Sequence, residues 1–167
     1  MKNSRQRNLT RILFAVYILI LIWIVLFKMS FSIDELYKNR SINIIPFMGS
    51  VIANGRIYIS EIINNIVVFI PVGIYVCMLK KDCSIFKKIS VGFFISLGIE
   101  VLQFILAIGA TDITDLIGNT LGGILGIGVF YLFSKVLKNR TNNIINILAL
   151  IATILLIVII SILVFVN

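Results

Sequence analysis

The chain has no histidine, only two cysteines and two prolines, and only seven acidic residues among 167. Without histidine, the serine–histidine and cysteine–histidine layouts of the commonest hydrolases are excluded. Without a CxxC pair as well, a zinc site has no ligand set to draw on. Neither a metal nor a cofactor is expected. Cys77 and Cys83 fall at the end of one apolar run and in the loop after it. Charge is scarce too: 13% of residues are charged, against 60% hydrophobic. That balance excludes an ordinary soluble domain of this size and fits an integral membrane protein.

The charge that exists is lopsided, with a formal net of +8. The basic residues cluster between apolar runs and are not interleaved with aromatics as base-stacking patches are, so a nucleic-acid partner is not expected. Five apolar runs approach the twenty or so residues that a span needs. They cover about 9–27, 62–79, 89–108, 116–134 and 144–166. The first follows a basic N-terminus but lacks a small-residue cleavage site, so it reads as a retained helix. The chain reads as one domain over 1–167, an all-α bundle of about five transmembrane helices.

Eleven of the fifteen basic residues fall on one side of that arrangement: Lys2, Arg5, Arg7 and Arg11, then Lys80, Lys81, Lys87 and Lys88, then Lys135, Lys138 and Arg140. The excess of basic residues in cytoplasmic loops puts the N-terminus in the cytoplasm and the C-terminus outside. The lysine pairs read as topology signals with some attraction to anionic lipid. The longest extramembrane piece, about 28–60, then lies outside. Ser32 and Glu35 have the spacing of a capping box that would open a short helix. The segment from Asn43 to Phe47 is apolar enough to rest on the membrane interface.

Polar groups inside the apolar runs stand out. Glu61, Asn64 and Asn65 share one face of the second span, Glu100 and Gln103 one face of the third, and Asp112, Asp115 and Asn119 one face of the fourth. Consecutive spans with short loops are neighbours, so the three faces are expected to line one polar cavity on the outer side, with Arg40 and Arg56 as the nearest basic partners. Asparagines in such helices often do no more than bind a neighbouring helix, and Thr111, Asp112 and Thr114 also stand where an N-cap for the fourth span belongs. Glu100 is harder to explain that way, because a lone acid at mid-span costs about 2.5–3.5 kcal/mol on insertion scales.

Gly118, Gly122 and Gly126 repeat every four residues on the fourth span, a spacing that admits a closely packed helix. Packing within the chain is one reading and a homodimer seam the other. Gly92 and Ser96 on the third span offer a weaker match of the same type. Pro71 and Gly73, mid-way along the second span, suggest a kink or hinge.

Four stretches in order, Arg40 to Phe47 (RSINIIPF), Asn64 to Gly73 (NNIVVFIPVG), Glu100 to Gln103 (EVLQ) and Thr111 to Gly123 (TDITDLIGNTLGG), resemble the VanZ-like family of bacterial membrane proteins over about 40–131. The characteristic positions that the resemblance implies are Arg40, Asn43, Pro46, Asn65, Pro71, Gly73, Glu100, Gln103, Asp112, Asp115, Asn119 and Gly122. Many members carry an arginine shortly after the position of Gly109, where this chain has Ala110 and Thr111. The family's namesake is associated with low-level resistance to the lipoglycopeptide teicoplanin, which implies a multi-pass protein of the bacterial cytoplasmic membrane acting in the cell envelope.

Three functions follow as expectations. The first is a binding protein whose site, built from Arg40, Asn43, Asn64, Asn65, Glu100, Gln103, Asp112, Asp115 and Asn119, holds a membrane lipid, a lipid-linked envelope precursor or the acyl tail of a lipoglycopeptide. The second is an enzyme acting on such a lipid with Glu100, Asp112 or Asp115 as general acid and base. The third is a small transporter, for which five spans are few and no inverted repeat is visible.

Overall fold

Each apolar run becomes a helix. The computed structural model describes residues 2–27, 41–46, 52–53, 56–57, 59–108 and 110–166. Its helices are α1 (Lys2–Phe27), α2 (Ile59–Leu79), α3 (Ile85–Leu106), α4 (Ile113–Leu137) and α5 (Thr141–Val166). Among the described residues, four helical stretches are long and apolar enough to cross a membrane: Ser4–Leu26, Ile59–Leu79, Ile85–Leu106 and Ile113–Ile162. The last takes in α4, a 3-10 turn at Lys138–Arg140 and most of α5. The helices start a few residues before the apolar runs because polar residues supply their first turns. Ser84 caps α3, its side chain accepting from the Lys87 N–H, and Asp112 caps α4 by accepting from the Thr114 N–H.

Short strands also occur, which the helical periodicity did not reveal. Strand β1 (Ser41–Asn43) runs parallel to β4 (Ala110–Asp112), with Ser41 opposite Ala110 and Asn43 opposite Asp112. Strands β2 (Ile52–Ala53) and β3 (Arg56–Ile57) pair antiparallel. Pieces of two or three residues are too short to carry a period-two pattern. The segment after Asn43 is therefore anchored by a strand, and Ile44 and Ile45 are exposed. The expected helix start at Ser32 and the side chain of Arg40 lie outside the described residues.

The most extensive helix contact is between α2 and α4, and glycine makes it. A Cβ on Gly122 would collide with the Ile66 carbonyl, one on Gly126 with the Ile70 carbonyl, and one on Gly73 with the Gly123 carbonyl. The glycine face of α4, Gly118, Gly122 and Gly126, thus packs against α2 of the same chain. Gly92 on α3 has open space around it and takes no part. Gly73 serves close approach, and α2 continues as one helix through Pro71. Of the kink and the hinge that the sequence suggests there, the contact at Gly73 supports the packing role.

Around this pair, α1 lays Leu21 and Leu26 against Phe69, Val72, Val76 and Ile99. Leu13, Tyr75, Cys77, Met78, Ile127 and Phe130 form a second apolar cluster. Helix α5 joins through a polar seam: Gln6 Nε2 donates to Asn143 Oδ1 at 3.1 Å, and Thr10 and Asn146, both buried, exchange hydrogen bonds at 3.0–3.1 Å. Since Gln6 meets Asn143 and Thr10 meets Asn146, α1 and α5 run in the same direction. Large apolar side chains remain exposed along α3, α4 and α5, as lipid-facing surfaces require.

Candidate functional site

The third helix ends in a turn that sends the chain back across its own face. Ala107 adopts a left-handed conformation (φ 56°) and its N–H reaches back to the Gln103 and Phe104 carbonyls. The returning strand β4 then lies beside Glu100. The Thr111 hydroxyl donates to the Glu100 carbonyl at 3.2 Å, and the Asp112 N–H donates to Glu100 Oε2 at 3.1 Å. A carboxylate buried to 2% exposure is thereby held by backbone as well as by packing.

Asp112 is equally buried and has two jobs. Its Oδ1 caps α4 through the Thr114 N–H at 2.7 Å, and its Oδ2 accepts from Asn43 Nδ2 at 3.0 Å. The capping role and the cluster role, alternatives in the sequence, coexist. The Asn43 side-chain Oδ1 accepts from the Ile45 N–H, an Asx turn that fixes the side chain. One turn further along α4, Asp115 Oδ1 accepts from Asn65 Nδ2 of α2 at 2.7 Å. Another turn on, Asn119 Nδ2 donates to Ser96 Oγ of α3 at 2.9 Å, both side chains fully buried. Gln103 Nε2 donates to the Val25 carbonyl and ties α3 to α1.

Of the nine expected site residues, Asn43, Asp112 and Glu100 are linked by hydrogen bonds, Asn65 pairs with Asp115, and Gln103 and Asn119 bond instead to Val25 and Ser96. Asn64 is exposed, because a one-residue step on a helix turns it about 100° away from Asn65. The face shared by Glu61, Asn64 and Asn65 thus splits, with Glu61 also exposed. Arg56 lies in β3, and Arg40 is outside the described residues. Two members were not singled out from sequence as site residues, Ser96 and Thr111. Ser96 stands at i, i+4, i+7 with Glu100 and Gln103, which was the available signal.

Asp112 and Asp115 both lie within Coulombic reach of Glu100. Among the described residues, three fully enclosed acceptor atoms have no hydrogen-bond partner: Glu100 Oε1, Gln103 Oε1 and Asn119 Oδ1. Buried acceptors are normally satisfied, so a group of this kind calls for donors from a ligand, a proton or water. No group of three or more histidine, cysteine or acidic side chains among the described residues is arranged to hold a metal ion. The fitting chemistry is a hydrogen-bond donor such as an amine, a hydroxyl or an amide.

A family model described as VanZ/LLP1 matches residues 14–134. A curated relative, Protein VanZ of Enterococcus faecium, is 40% identical over 134 residues, which cover 79% of this chain and 80% of that protein. No solved structure matches.

Proposed function

We propose that this chain, which belongs to the VanZ/LLP1 family, is an envelope binding protein of the bacterial cytoplasmic membrane. Its ligand is an amphiphile: a membrane lipid, a lipid-linked cell-wall precursor or the acyl tail of a lipoglycopeptide. The ligand's donor groups engage Glu100, Gln103 and Asn119, supported by Asn43, Asn65, Asp112 and Asp115. The observation that carries the reading is the set of three buried, unpaired acceptor oxygens on α3 and α4. Low-level protection against teicoplanin is the cellular effect that the family resemblance implies.

The topology we infer has five spans. The 50-residue stretch Ile113–Ile162 turns back at Lys138–Arg140 and crosses twice. Two features support this: the parallel seam of α1 with α5, and the basic residues at the turn. With the N-terminus in the cytoplasm, the polar cluster lies toward the outer face, where envelope precursors and antibiotics are met.

Expression in a susceptible bacterial host tests the reading. The wild-type chain is expected to raise teicoplanin tolerance and Glu100→Gln at equal membrane level to abolish the effect. Full protection by Glu100→Gln, with no affinity of the purified protein for any such amphiphile, would overturn it. Turnover of a lipid by the purified protein would instead favour an enzyme in which the same carboxyl groups act as acid and base.

A further inference from the structure

At the far end of α4, roughly 35 Å from Asp115 at about 1.5 Å per residue, the charge has the opposite sign. Lys88 on α3 is only 4% exposed. Its Nζ donates to the Lys81 carbonyl at 3.2 Å and to the Tyr131 hydroxyl at 3.1 Å, and stands 5.5 Å from the Tyr131 ring centre. These partners are neutral. Lysine is almost never this buried unless paired, and an ammonium has three donors, so one N–H and the whole charge are left over. A topology signal does not need this arrangement, since Lys80 and Lys87 beside it are exposed and supply one.

Lys88 faces a cavity of about 230 Å³ whose lining also includes Lys81, Tyr131, Ser134, Lys138 and Asn142, and no acid. A larger cavity of about 490 Å³ shares Lys81, Lys138 and Asn142 and adds Arg7, with Asp82 as its one acid. Lys138 joins the two, and its backbone is unusual. With φ 48° and ψ −121° it occupies a region that side-chain-bearing residues avoid. Its N–H is held by the Ser134 carbonyl and its own carbonyl by the Thr141 hydroxyl. Glycine would sit there without strain, yet the position carries a cationic side chain that lines both cavities.

We propose that the cavity bounded by Lys81, Lys88 and Lys138 is an anion site that takes a phosphate group, either of an anionic lipid headgroup or free in solution. The phosphate oxygens receive the spare Lys88 N–H and the Lys81 and Lys138 ammonium groups, and Ser134 and Asn142 supply neutral donors. Charge-assisted hydrogen bonds of this kind are the strong ones, and basic pockets between membrane helices are a recurrent setting for lipid headgroups.

The test uses the full chain. In one arm, it is purified from phosphatidylcholine nanodiscs doped with phosphatidylglycerol, and retained lipids are counted by native mass spectrometry. In the other, inorganic phosphate is titrated into detergent-solubilised protein and thermal unfolding is followed. The expected result is a preference for phosphatidylglycerol on the order of tenfold, or protection by phosphate alone if the source is soluble. Lys81→Gln with Lys138→Gln abolishes either effect, and Lys80→Gln with Lys87→Gln, which changes the same charge outside the cavity, leaves it intact. Lys88→Met removes an unpaired buried charge, so it abolishes binding while leaving the unliganded protein at least as stable as wild type. Lys138→Gly relieves the backbone and likewise loses binding. Absence of both effects, or equal losses in the cavity pair and the control pair, overturns the proposal.

Discussion

The backbone N–H of Asp112 donates to Glu100 Oε2 at 3.1 Å, so the start of α4 is fastened to the middle of the returning face of α3 by one side-chain oxygen. The other oxygen of the same carboxyl, Oε1, has no partner. Glu100 is therefore half structural and half available, and the two halves are separable by mutation.

Glu100→Ala leaves the Asp112 N–H buried without an acceptor and is expected to cost about 1–3 kcal/mol of stability. Glu100→Gln keeps an acceptor at the same place and is expected to cost distinctly less. Reversible unfolding in mixed micelles measures both. Equal losses would mean that the hydrogen bond to Asp112 carries no weight.

The glycines of the α2–α4 interface divide by what surrounds them. Gly122→Ala and Gly126→Ala place a methyl against the backbone of α2, so each is expected to destabilise by about 1–3 kcal/mol or more, as overpacking does. Gly98→Ala and Gly128→Ala meet open space on exposed helix faces and are expected to be neutral or stabilising by up to about 1 kcal/mol. The same unfolding measurement separates the two classes, and a common outcome for all four would contradict the packing described.

Much of this was legible in the sequence because membrane helices declare themselves by length and apolarity. The polar face of α4 was readable because i, i+3, i+7 spacing puts Asp112, Asp115 and Asn119 on one side of it. What was not readable is telling. Asn64 and Asn65 look equivalent as letters, and only the orientation of α2 turns one inward and the other out. The parallel pairing of Ser41–Asn43 with Ala110–Asp112 joins segments 69 residues apart, and nothing local encodes it. Lys88 looked like its neighbour Lys87 until the helix rotation buried it. The spacing of the α4 glycines did not name their partner, which is α2, where Gly73, Ile66 and Ile70 present a close backbone.

The α1–α5 seam provides a third check. Thr10 and Asn146 are buried and bonded to each other. A double-mutant cycle with Thr10→Ala and Asn146→Ala is expected to give a coupling near 0.6 kcal/mol and at most about 1.7, the range for polar pairs between membrane helices. Zero coupling would detach α5 from α1 and remove support for the fifth span.

A direct test of the binding site is ligand retention. Wild-type protein and Glu100→Gln are purified from bacterial membranes under identical mild conditions, and bound amphiphiles are identified and counted by native mass spectrometry. The account predicts a defined donor-bearing amphiphile on the wild type, reduced on the order of tenfold in Glu100→Gln as the free acceptor is replaced by an amide donor. The two proteins should unfold at similar temperatures. No bound amphiphile on the wild type, or the same one retained equally by Glu100→Gln, would contradict it.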